Sequence, residues 1–255
     1  HVAYETSGNI AVGDEEVIRF LHFINGFNQL FNNSEDQVIN EKYTEIRNYL
    51  KDKKDGDMDS RDILTIKGLI RRGEARTACT YNNIPLERCH FLDLPFYETG
   101  KIQKNPISEA DVEIVRNLLR EVKPHQIFVA GDLADPHGTH RVCTDAVFAA
   151  VDLEKEEGAK WLKDCRIWMY RGAWAEWEIE NIEMAVPISP EELRAKRNSI
   201  LKHQSQMESA PFLGNDERLF WQRSEDRNRG TATLYDQLGL ASYEAMEAFV
   251  EYIPL

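Results

Sequence analysis

Two histidines, His137 and His140, stand three residues apart in Gly131-Asp-Leu-Ala-Asp-Pro-His-Gly-Thr-His-Arg141, directly after the apolar run Gln126 to Ala130. At that spacing both imidazoles can point the same way from a first helical turn. Neutral imidazole is a common zinc ligand, and carboxylates such as Asp132 and Asp135 can fix the tautomer of a ligating ring from behind; Asp135 is the candidate for that role. Spacing alone also fits two surface histidines on a polar loop. Position favours chemistry, because ligands of open sheets bind just beyond the carboxyl ends of the strands.

Other residues fit the same crevice. Arg71 and Glu74 stand at i and i+3 in Ile70-Arg-Arg-Gly-Glu-Ala-Arg76, and the guanidinium of Arg71 could bind a polar or anionic substrate at the site mouth. The pair also fits a solvated salt bridge. Asp93 follows a short strand and is a second substrate-binding candidate, or a turn cap. His203 lies late on a predicted helix, where a cation suits the helix dipole, and is read as structural. His22, His90 and His125 are read the same way, and Trp168, Trp174 and Trp177 as core or interface aromatics. The sequence contains no Gly-x-Ser-x-Gly elbow, Walker loop or Gly-x-Gly-x-x-Gly turn, which removes the commonest hydrolase, triphosphatase and dinucleotide readings.

The elements that position these residues alternate between strand and helix. Val2 to Thr6 reads as a strand, and the apolar spacing from Val17 to Phe31 gives a helical face. A second helix is expected over Ser34 to Leu50, and the charged run Lys51 to Ser60 is a solvated loop. Residues 14–60 therefore form a helical insertion within a single domain spanning 1–255. Helices follow over Ile63 to Tyr81 and from Ser108, with its capping partner Asp111, to Val122. Another starts near Thr139, and a fourth after Ser189-Pro190-Glu191-Glu192. Strands are expected at Cys89 to Leu94, Gln126 to Ala130, Arg166 to Tyr170 and Met184 to Ile188. Tyr243 to Tyr252 reads as helix-like. This order predicts an α/β fold with a mostly parallel sheet and helices on both faces.

Composition narrows the class. The 255 residues carry a formal charge of −13 and 42% apolar side chains. Such acidity argues against a nucleic-acid partner, since no basic patch stands out to neutralise phosphates. No apolar run approaches the roughly 20 residues of a membrane span, so a soluble, cytoplasmic protein is expected. The four cysteines match no zinc-ribbon or disulfide spacing and are expected to be reduced and buried. The chain opens on His1, directly inside an extended run, and is read as a fragment of something longer.

The order of these features resembles the PIG-L/LmbE family of zinc-dependent N-deacetylases. The resemblance rests on Arg71 to Ala75, Phe91-Leu-Asp-Leu-Pro95, His137 to Arg141, and Lys196 with His203-Gln-Ser-Gln206. It is similar in particular to the domain behind a glucosamine-6-phosphate deaminase domain in long bacterial proteins. The resemblance implies a Rossmann-like three-layer sandwich and a zinc ion held by two histidines and an aspartate, with His140 as the last metal ligand and His137 as the catalytic residue that polarises the intermediate or protonates the leaving amine. It also implies an N-acetylated amino sugar, such as N-acetylglucosamine 6-phosphate, as the small-molecule partner. An attached deaminase domain and a homo-oligomer are further expected partners. Two departures stand out. Many members read His-Pro-Asp-His where this chain has His-Gly-Thr-His. The family's first motif, His-Pro-Asp-Asp, carries the other two ligands and the general base, and it is absent here; its place would be just before His1. A single ligand cannot make a three-ligand catalytic site, so this chain alone is expected to bind zinc poorly and be inactive. The competing reading is a non-catalytic accessory or sugar-binding domain of a deaminase.

Overall fold

A computed structural model describes residues 1–31, 37–54, 56–101, 103–131, 138–173, 175–207 and 218–253. In chain order the elements are β1 (Val2–Tyr4), α1 (Asp14–Phe31), α2 (Gln37–Asp52), α3 (Arg61–Tyr81), β2 (Cys89–Phe91), α4 (Glu109–Val122), β3 (Gln126–Ala130) and α5 (Thr139–Glu156). They continue with β4 (Arg166–Tyr170), β5 (Met184–Ile188), α6 (Pro190–Ile200), α7 (Phe220–Gln237) and β6 (Ala245–Tyr252). No described helix is long and apolar enough to cross a membrane.

Local chemistry sets the helix starts. Ser189 accepts from the Glu192 amide while the Glu192 carboxylate accepts from the Ser189 amide, a capping box with Pro190 in the first turn. Asp111 does the same for Ser108 at α4 and also accepts from the Phe96 amide at 2.8 Å. The buried Asp111 carboxylate thus ties the loop after β2 to the start of α4, and Phe96 and Leu94 enter the main core beside Val115, Leu119, Val147, Val151 and Ile167. A second core packs α1 and α2 on the first half of α3 through Val17, Leu21, Ile46, Ile63 and Ile70.

The strands form two sheets. β1 pairs with β2 in parallel, and a separate four-stranded sheet runs β3-β4-β6-β5. Only β3 and β4 are parallel there; β6 runs antiparallel to both β4 and β5. The expected mostly parallel sheet is therefore corrected to a mixed one. The cause is β6, which the sequence reading took for helix. Ala245-Met-Glu-Ala-Phe-Val-Glu-Tyr252 is rich in helix formers, and Met246, Phe249 and Val250 repeat at i, i+3, i+4. Pairing on both edges overrides that local preference, and Ala245, Met246 and Ala248 are buried. The Arg-rich stretch before it, given no element in sequence, is part of α7, which packs on β6. Arg227 of α7 forms ion pairs with Glu176 and with Glu247 of β6, which also binds Lys196 of α6 at 2.5 Å.

Of the cysteines, only Cys79 is buried; Cys89, Cys143 and Cys165 are half-buried, so the expectation of four buried thiols is also corrected. Trp168 is in the core and Trp177 covers the end of β3, while Trp174 lies outside the described residues. That cover explains Gly131. A Cβ there would stand 2.6 Å from Trp177 Cζ2 and 2.7 Å from Met169 Cβ. Gly131→Ala should therefore cost about 1–3 kcal/mol through overpacking, read from chemical denaturation; an unchanged midpoint would refute the close approach.

Candidate functional site

Among the described residues, the two sheets present unpaired edges to each other: β1 is paired only through β2 and β3 only through β4, and residues at both line one crevice, Ala3, Tyr4 and Glu5 on one side, Phe128, Val129 and Ala130 on the other. Its volume is about 270 Å³. Arg71 from α3, His140 from the first turn of α5, Tyr170 and His203 complete the wall. The crevice opens where β1 and β3 end, the carboxyl side on which open sheets bind ligands.

A buried carboxylate organises one wall. Glu74 accepts from the Ser205 amide at 2.6 Å, from Ser205 Oγ at 2.8 Å and from Arg71 Nη1 at 2.8 Å. Three donors hold the carboxylate in place, and through it the Arg71 fork and the turn after α6. Gly8, at φ 65°, makes room for this: a Cβ there would lie 3.1 Å from Arg71 Nε. The Arg71–Glu74 pair predicted in sequence is therefore an ion pair built into the crevice wall, with Glu74 buried.

His203 was read as structural, a cation near the end of a helix. It instead follows α6 at the start of a short 3-10 turn, largely buried, with Nδ1 lacking a hydrogen-bond partner. Burial, followed by the nearby Arg71 charge, lowers its pKa, so the ring in the crevice is neutral at neutral pH. Its cue in sequence was the following Gln-Ser-Gln, whose Ser205 binds Glu74.

Glu5 was not singled out at all. Its carboxyl is largely buried, Oε2 has no hydrogen-bond partner, and burial raises the pKa to about 8, opposed by a hydrogen bond from Cys143. Burial, and then Glu5, likewise raise Tyr170. The only sequence cue was an acid inside the otherwise uncharged run Val2-Ala-Tyr-Glu-Thr6. Because the folded pKa lies above the unfolded one, the native state holds an extra proton between pH 4.5 and about 8. Stability is therefore lost as pH rises through that window. Glu5→Gln should remove this loss, so that thermal melts show the variant gaining on the parent as pH rises from 5 to about 8; parallel melting curves would contradict the assignment.

The remaining sequence candidates fall differently. His140 is exposed on the crevice rim. Asp93, at φ 47°, forms an ion pair with Arg72 and is not among the crevice-lining residues; it reaches the site only through Arg72, which is. His137, Asp132 and Asp135 lie outside the described residues. Among the described residues, no three His, Cys, Asp or Glu side chains stand together as a metal-binding group. The donors described at the crevice, His140 on the rim with Glu5, Cys143 and His203 elsewhere in the wall, do not come together and so do not fit a catalytic zinc site, which takes three protein ligands.

Comparison with known proteins places the geometry in context. Residues 31–151 match the PIG-L family, described as GlcNAc-PI de-N-acetylase. The chain is 94% identical over its 255 residues to a glucosamine-6-phosphate deaminase-like protein of Bacteroides thetaiotaomicron, and spans 38% of that relative's length. Among solved structures, the 4-carboxy-2-hydroxymuconate hydratase of Pseudomonas putida aligns with a TM-score of 0.53 at 13% identity, covering 79% of this chain and 77% of the hydratase. The N,N'-diacetylchitobiose deacetylase of Pyrococcus horikoshii aligns at 0.50 and 17% identity, covering 78% and 69%. At such identities the likeness is one of fold, and the fold serves both a hydratase and a deacetylase.

Proposed function

We propose, from the match of residues 31–151 to the PIG-L family, that this chain is the main part of a deacetylase domain that hydrolyses the acetamide of an N-acetylated amino sugar such as N-acetylglucosamine 6-phosphate. The observation that carries the reading is the crevice between the unpaired edges of β1 and β3, where Arg71, His140 and a neutral His203 converge. A slot between two strand edges suits a further extended segment, because each edge offers a row of unsatisfied backbone groups. In our reading that segment precedes His1 in a longer polypeptide, and its carboxyl end brings the remaining metal ligands beside His140. Arg71 holds a polar or anionic group of the sugar at the mouth, His137 serves the leaving amine and Asp135 steadies a ligating ring. Asp93 acts on the substrate side through Arg72. The ion would be zinc, with ligands from outside this chain completing the site.

The length relation to a deaminase-like protein supports a second reading, an accessory sugar-binding domain attached to a glucosamine-6-phosphate deaminase. One experiment separates the two. Acetate release from N-acetylglucosamine 6-phosphate, with zinc supplied, is measured for the longer polypeptide and for the 255-residue chain. Deacetylation by the longer form alone is the expected result. Absence of acetate release from both, with sugar still bound, would favour the accessory domain.

A further inference from the structure

Helix α1 carries two apolar faces, and only one is used by the domain. Taking 100° per residue, Val17, Leu21 and Asn28 share an arc that is buried against α2 and α3. A neighbouring arc about 120° wide, centred on Phe27, holds Phe20, Phe23, Ile24, Leu30 and Phe31. Along it Phe23, Phe27 and Phe31 form a ladder, with ring centroids 6.1 and 4.7 Å apart. Phe20 packs partly against the second core, but the other five face solvent: Phe23 is 66% exposed, Ile24 45%, Phe27 55%, Leu30 71% and Phe31 66%. Nothing among the described residues covers these five.

Charge is missing from the same stretch. Asp14, Glu15, Glu16 and Arg19 take four of the first six positions, whereas Phe20 to Phe31 contains no Asp, Glu, Lys or Arg in a chain that is 29% charged. A surface helix of a monomer turns one apolar stripe to the core and polar residues to solvent, whereas here the apolar surface continues past the packed stripe onto the exposed side.

We propose that this face is the contact between two copies of the chain, paired antiparallel across a two-fold axis through Phe27. The area favours that occupant. Large aromatic and aliphatic side chains bury about 150–250 Å² each, so the five exposed ones present roughly 600–700 Å². That exceeds the largest patch on most monomers and approaches the ~800 Å² each partner gives to a standard interface. The row is also self-complementary, as an isologous contact requires. Antiparallel pairing sets Phe23 against the partner's Phe31 and packs Phe27 on itself. At 1.5 Å per residue it also keeps the two acidic first turns roughly 40 Å apart.

Sedimentation velocity of the 255-residue chain tests the contact. We expect a species of twice the monomer mass, and at least a tenfold weaker association for Phe27→Asp, with an unchanged circular dichroism spectrum because the side chain faces outward. Should Phe27→Asp fail to fold, amide exchange of the parent decides: exchange across Phe20 to Phe31 must slow as protein concentration rises. A monomeric parent at about 100 µM, a dimer that survives Phe27→Asp, or exchange independent of concentration overturns the proposal. Protection of α1 found only in the longer polypeptide would assign the face to another part of that polypeptide and overturns it equally.

Discussion

Replacing His140 by alanine in the longer polypeptide should lower acetate release by about a thousandfold, equivalent to about 4 kcal/mol of barrier. A catalytic zinc keeps three protein ligands and one open position. Altering groups that merely support such ligands already costs 10–100-fold, so if His140 is a ligand, as proposed above, its loss should cost more. The variant is informative because His140 is exposed in the first turn of α5. Its removal opens no core cavity, and the melting temperature should stay within a degree or two of the parent. His125→Ala, also on the surface, is the matching control. Retained acetate release in His140→Ala would remove this residue from the reaction, and the family resemblance would then rest on fold alone.

The largest stability effect should come from Glu74. Its carboxylate is the shared acceptor of Arg71 and of both donors of Ser205. Glu74→Ala leaves a part-buried guanidinium and a buried amide without their acceptor, and breaking such a pair from one side costs about 3–5 kcal/mol. Glu74→Gln keeps an acceptor and should cost about half as much. Denaturant unfolding gives both numbers. In the same variants the crevice wall should loosen, since Arg71 and the turn bearing His203 lose their common anchor, so sugar binding should weaken more in Ala than in Gln. A loss below about 0.5 kcal/mol for Glu74→Ala would show that the carboxylate is not the organiser inferred here.

These residues also show where sequence suffices. Elements defined by local chemistry were legible: the Ser189-Pro190 and Ser108-Asp111 helix starts and the strand Gln126 to Ala130 all follow from capping and apolar spacing. Features defined by distant partners were not. β6 has helix-like composition and becomes a strand only because β4 and β5 each supply an edge. His203 acquires its character from packing beside Arg71 and Glu74, 132 and 129 positions earlier by residue number. Glu5 looks like an ordinary strand residue until Cys143 and Tyr170 close over it. The Arg71–Glu74 pair was visible as a spacing, but its burial against Ser205 was not.

The place of β6 in its sheet has a consequence for how the molecule is made. The strand lies between β4 and β5 yet follows them by some 60–80 residues. On the ribosome, where about 5–20 residues emerge each second, β4 and β5 must wait for it with bare edges for several seconds. Such long-range pairing is slow to form and exposed to misassembly. The nascent chain should therefore depend on chaperone capture at this stage, and a stop codon before Ala245 would yield aggregate in place of a shortened domain.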